Sequence, residues 1–199
     1  GTFALGAAVT QYYNTAIGDG AMRGSTGGDR NTAIGYHAIG NDTTGTGGSK
    51  NTALGFGALR LNSASNTTAI GYESMNVNTS GEENTTVGHQ TLAANTTGSY
   101  NTVVGYQAMK LNTTGNYNTV FGHKALYNNV DGDRNTAVGH MALHSLEPSD
   151  GGGGNTALGD RAGYTMSTGH SNTILGYTAG YKHTTGERNV VIGHEAGYS

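Results

Sequence analysis

The side chains with chemical capacity in this chain recur at fixed places. His89, His123, His140 and His194 each follow a glycine, where Tyr36, Phe56, Tyr72, Tyr106 and Tyr177 stand in other stretches. Neutral imidazoles at His123 and His140 have the ligand chemistry to share a metal ion. Their interchange with Tyr and Phe points instead to a column of flat rings, so no metal and no cofactor is assigned. Asp and Glu are few and stand mostly in variable positions such as Asp29, Glu82, Glu83, Asp133 and Glu187. No Ser, His and Asp keep recurring relations. No glycine-rich phosphate loop ends in Lys-Ser/Thr, and no Gly-x-Ser-x-Gly elbow occurs. No catalytic residue is assigned, and the chain reads as a non-enzyme.

Two further residue sets could recognise or carry sugars. Asn-x-Ser/Thr acceptors for N-glycosylation stand at Asn41, Asn66, Asn78, Asn84, Asn95 and Asn112. Three of them, Asn78, Asn95 and Asn112, share one turn position, so glycans there would line one edge. The same Asn-Thr-Thr-Gly stretch is also good turn chemistry in its own right. Tyr164, Tyr181 and Tyr198 follow Ala-Gly in the last three repeats, where earlier repeats have Ala-Leu or Ala-Met. These three are the candidate surface-binding aromatics, either a stepped row for successive sugar units or a local repacking.

What positions all of these residues is a repeat. The pentapeptide Asn-Thr-Ala-(Ile/Leu/Val)-Gly, or a close variant, ends at Gly6, Gly18, Gly35, Gly55, Gly71, Gly88, Gly105, Gly122, Gly139, Gly159, Gly176 and Gly193. Steps are 17 residues from Gly71 to Gly139 and again at the end. They lengthen to 20 before Gly55 and Gly159, beside glycine-rich stretches, as loops on one edge of a solenoid do. Asn, Thr and two glycines per unit are poor helix formers, and no 3.6-residue period appears. The expected fold is all-β: a parallel β-solenoid of about 12 coils with a 17-residue period, one repetitive segment over residues 1–199 of a longer fibre.

Period-2 alternation puts Thr102 and Val104 on one face of a short strand, with Asn101 and Val103 on the other. The expectation adopted is that the Thr and Val104 side faces inward. Ala108-Met109 would form a second, shorter strand, and Asn112 to Gly115 the turn. Each coil then offers two or three apolar side chains, too few to fold alone, so neighbours must stack. At the interstrand spacing twelve coils make a rod on the order of 55 Å long. The two Ala columns, at the third strand position and three residues after each glycine, would let other copies approach closely. Assembly into a homotrimer or a filament is expected there.

At this point the residues carry a resemblance. Asn-Thr-Ala-Ile-Gly-Tyr-His-Ala, Asn31 to Ala38, is similar to the Ser-Val-Ala-Ile-Gly-x-x-Ala signature of trimeric autotransporter adhesin heads. It more closely resembles the Asn-Thr-Ala-x-Gly repeats of bacteriophage tail fibres and similar bacterial surface proteins. The resemblance implies a trimeric parallel β-roll that displays binding surfaces away from a cell or virion. The unit here is 17 residues rather than the adhesin head's 14, and Thr replaces the apolar second residue.

The expected function is therefore a structural extracellular fibre segment that mediates attachment, at a cell surface or on a virion. Its partners would be further copies of itself and a cell-surface glycan or receptor. A self-assembling, glycan-coated filament is the alternative, and a sugar- or ice-binding module a third. A formal net charge of −3 with scattered basic residues gives no footprint for nucleic acid. No apolar run has the length of a membrane span, and the absence of Cys excludes disulfides.

Overall fold

A computed structural model describes residue 4 and residues 11–25, 28–40, 48–147 and 153–198. Eleven three-residue strands follow one another: β1 (Thr15–Ile17), β2 (Thr32–Ile34), β3 (Thr52–Leu54), β4 (Thr68–Ile70), β5 (Thr85–Val87), β6 (Thr102–Val104), β7 (Thr119–Phe121), β8 (Thr136–Val138), β9 (Thr156–Leu158), β10 (Thr173–Leu175) and β11 (Val190–Ile192). They pair in parallel and in chain order as one sheet. Register is strict, with Thr15 opposite Thr32 and Thr102 opposite Thr119. No helix occurs among the described residues, so none there is long and apolar enough to cross a membrane. The solenoid has about ten turns, and the unit ending at Gly6 lies outside the described residues.

The alternation is as expected, but the inward side is the other one. Asn101 and Val103 are fully buried, Thr102 is exposed and Val104 half-buried, and the same pattern repeats in coil after coil. Backbone hydrogen bonding decides this. Asn101 Oδ1 accepts from the Asn118 backbone N–H at 2.9 Å, and Asn101 Nδ2 donates to the Gly115 carbonyl at 2.9 Å. Asn84 and Asn118 do the same for the coils that follow them. One buried side chain thus satisfies a donor and an acceptor of its neighbour, groups that would be costly to leave unpaired. Thr supplies no such reach and stands outside.

A second inward ladder lies at the turn. Asn78, Asn95, Asn112 and Asn129 each donate from Nδ2 to Oδ1 of the preceding member, at 2.7, 2.9, 2.9 and 3.0 Å, starting from Asn62. In the next two coils Leu146 and Met166 take this place and are also buried. Ala108 and Met109 do not form a strand. Gln107 and Met109 have φ of 52° and 51°, so the chain turns here, while the Met109 N–H still donates to the Ala125 carbonyl at 2.9 Å. The glycine closing each strand is required by space. Gly105 has φ of 140°, and a Cβ on it would overlap the Gly122 carbonyl.

Both Ala columns are inside the coil. Ala33, Ala53, Ala137 and Ala157 in the strands, and Ala38, Ala108, Ala125 and Ala142 after the glycines, are 0% exposed. They cannot be contact columns for other copies, and the expected interface is corrected accordingly. Their small size matches the Leu or Met across the coil. Where that Leu becomes glycine, the filling comes from elsewhere: Ile174 replaces the strand Ala opposite Gly180, and Leu143 and Ile174 fill the space at Gly163.

Candidate functional site

With Asn and Ala turned inward, the strands present their first and third residues to solvent. Thr15, Thr52, Thr85, Thr102, Thr119, Thr156 and Thr173 form an exposed hydroxyl column. Beside it runs an aliphatic column from Ile17 to Ile192, in which Ile17, Leu54, Phe121, Leu158, Leu175 and Ile192 are 58, 44, 41, 47, 40 and 59% exposed. None of the eleven strands contains a charged residue. The Thr column that an ice-binding module would use therefore faces solvent, not the interior as expected.

Two residues beyond the aliphatic column stand the rings. Tyr36, Phe56, Tyr72, His89, Tyr106 and His123 stack in succession with centroids 5.0, 5.2, 4.9, 5.1 and 5.1 Å apart. His123 and His140 continue the column at 5.2 Å, and the His140 ring lies 3.0 Å from Asp160. This is a stacking column, as the interchange of His with Tyr implies. Among the described residues no three His, Asp or Glu side chains gather to hold a metal ion.

The Tyr164, Tyr181 and Tyr198 row belongs to a second stack that starts earlier, at Tyr127 and His144. Successive centroids are 5.4, 5.2, 5.2 and 5.3 Å apart. Both faces of Tyr164 and Tyr181 are covered by their neighbours, so this row shows a ligand edges and hydroxyls, not the open faces on which a sugar stacks. The signal for Tyr127 and His144 was in the sequence, since each lies five residues after a repeat glycine, as Tyr164 does. Burial lowers the pKa of His144 below its ordinary value, helped by the charges of Lys124, His123 and His140.

The glycosylation acceptors are placed just as clearly. Asn78, Asn84, Asn95 and Asn112 are buried at 1% exposure or less, with their amide nitrogens engaged in the ladders. A glycan on any of them is incompatible with the fold. Asn66 is exposed at a corner, with φ of 59°. Asn41 lies outside the described residues.

The exposed corner before each Asn carries Tyr13, Arg30, Lys50, Glu83, Tyr100, Tyr117, Arg134 and Arg188, all with positive φ. Tyr100 and Tyr117 stack at 4.8 Å, and Arg134 lies over the Tyr117 ring at 5.3 Å. One residue earlier, sequence reasoning missed an outer ladder. Asp29 Oδ1 accepts from the Tyr12 N–H at 2.7 Å, and Asn116 Oδ1 and Asp133 Oδ1 do the same for Ser99 and Asn116. The recurrence of Ser, Asp and Asn at this place is its only sequence signal.

Compared with known proteins, this chain matches no family model, no curated sequence and no solved structure.

Proposed function

We propose that this rod is a structural segment of an extracellular fibre that mediates attachment, in which three copies pack around a common axis through the outer strand face. The observation that carries the proposal is the uninterrupted, charge-free column of half-exposed Ile, Leu, Val and Phe along all eleven strands. Soluble single chains seldom expose an apolar patch of that extent, and interfaces are depleted of charge at their cores. Copies laid side by side and in register would set like residues against like along the whole rod. The resemblance to tail-fibre and adhesin-head repeats supports the same assembly. Attachment of this kind is a binding role with no chemical step, on a virion or a cell surface.

The test is solution mass by sedimentation or light scattering, with Val104→Asp and Leu158→Asp as variants. Both positions face outward, so the coil stack should survive, with an unchanged circular dichroism spectrum, while the mass falls from three chains to one. Wild-type chain that is already monomeric at micromolar concentration overturns the proposal. Growth without limit supports an end-to-end filament in its place.

A second reading is favoured by the outward Thr column. Hydroxyl and methyl groups repeated at the interstrand spacing, about 4.8 Å, beside an aliphatic row form a regular array suited to ordered water or ice. Assembly and ice binding would use one face. Thermal hysteresis in a monomeric wild-type chain would select ice binding.

A further inference from the structure

We infer that a notch between the second and third coils binds a carboxylate-bearing sugar ring, such as a uronic acid of a surface polysaccharide. The inference names a ligand for the attachment role and rests on that reading. One absent side chain opens the notch. At the second residue after the repeat glycine, later coils carry Glu73, Gln90, Gln107 and Lys124, but the third coil has Gly57.

His37 does not close the gap. Its ring leans back over Gly20, with ring atoms 3.1 Å from where a Cβ on Gly20 would sit, and its Nδ1 lies 3.4 Å from the Gly40 carbonyl oxygen. A Cβ on Gly57 would make a tight contact with Asn76 Nδ2 at 3.3 Å, the free end of a flexible side chain, and an ordinary one with Glu73 Cγ at 3.6 Å. The result is a cavity of about 180 Å³ lined by Tyr36, His37, Phe56 and Arg60.

The lining defines the ligand. Arg60 is exposed, and among the described residues no carboxylate pairs with it. A guanidinium in such a place suits a carboxylate, which it can hold through two parallel hydrogen bonds. The nearby carboxylate, Glu73, is engaged on its far side, where its Oε2 accepts from Gln90 Nε2 at 2.9 Å. Tyr36 and Phe56, stacked at 5.0 Å, supply an apolar wall of ring edges, and each is 46% exposed. A cation beside an apolar wall, in a recess open on its outer side, fits one charged pyranose within a longer chain better than a free anion.

The experiment is titration of the full chain with sodium glucuronate, glucose, acetate and N-acetylglutamate, followed by NMR of the aromatic and His resonances. Glucuronate should give saturable shifts at Tyr36, His37 and Phe56, with each of the other probes at least about tenfold weaker, as loss of a charged hydrogen bond or of the ring contact implies. Arg60→Gln should weaken glucuronate by a similar factor. Gly57→Gln should abolish it by refilling the notch, and Gln90 and Gln107 show, at φ of 50° and 52°, that the backbone accepts Gln there. Solution mass and circular dichroism, measured alongside, should not change. Equal binding of glucose or acetate, retention in Gly57→Gln, or no shift at all overturns the inference, and tighter binding of N-acetylglutamate transfers the site to an acidic peptide. None of these outcomes depends on the number of chains per particle, so failure of the notch and failure of the fibre reading are separable.

Discussion

At the residue scale the fold depends on amide side chains more than on apolar ones. Asn101 serves the next coil twice, through Oδ1 to the Asn118 N–H and through Nδ2 to the Gly115 carbonyl. Asn101→Ala would leave the Asn118 N–H buried and unpaired, at about 1–3 kcal/mol, and the Gly115 carbonyl with its 3.2 Å bond from Asn112 Nδ2 alone. We expect that variant to lose about 3 kcal/mol in denaturant unfolding. The fourth coil offers the reverse experiment. Thr67 stands there in place of Asn, fully buried, so no amide reaches the following Asn84 N–H. Thr67→Asn restores the repeat's own solution and should raise stability by about 0.5–2 kcal/mol, as such consensus changes commonly do. If Asn101→Ala is nearly neutral, the ladders are ornaments on a sheet that stands without them.

At the element scale the ring columns connect stability to pH. His144 is held between Tyr127 and Tyr164, with its pKa lowered first by burial and then by Lys124, His123 and His140. An unfolded His takes up its proton near pH 6.5, so the folded form, which resists charging, is the one penalised by acid. The contribution of His144 to stability is complete above about pH 6.5 and is lost as pH falls below it. His144→Tyr continues the Tyr column without a titrating group. Its melting temperature should therefore drop less than that of the wild type between pH 7.5 and pH 5, and equal drops would remove His144 as the cause. Much of this scale was legible beforehand. The period, the parallel strands, the ring column at His123 and Tyr106, and the glycine at the strand end all follow from residue type and spacing. The inward side was not legible, because alternation is symmetric and Thr-x-Val looks as core-like as Asn-x-Val. What broke the tie was the reach of Asn101 to the next coil's backbone, a relation 17 residues away. The burial of the Asn in the Asn-Thr-Thr-Gly turns was not legible for the same reason, since Asn112 pairs with Asn95 one coil back rather than facing solvent.

At the scale of the whole molecule each coil touches only its neighbours, so stability is a sum of coil and interface terms along one dimension. Position along the rod should then decide the effect of identical chemistry. Val103 is fully buried in β6, with β5 on one side and β7 on the other. Val191 occupies the equivalent place in β11, half-buried, and β11 pairs only with β10 among the described residues. Val103→Asp places an unpaired carboxylate in the interior and interrupts two interfaces at once, a change of the kind that costs more than about 3 kcal/mol. Val191→Asp interrupts one interface at the last strand, where a single coil can fray while the rest stays stacked. The measurement is hydrogen exchange across both variants. In Val103→Asp, protection should fall on both sides of β6, with the loss spreading through several coils. In Val191→Asp it should fall only beyond β10, with a nearly unchanged melting temperature. Equal and global loss in both would mean that the rod unfolds as one cooperative unit, as a globular domain does, and that the coils are not separable elements of its stability.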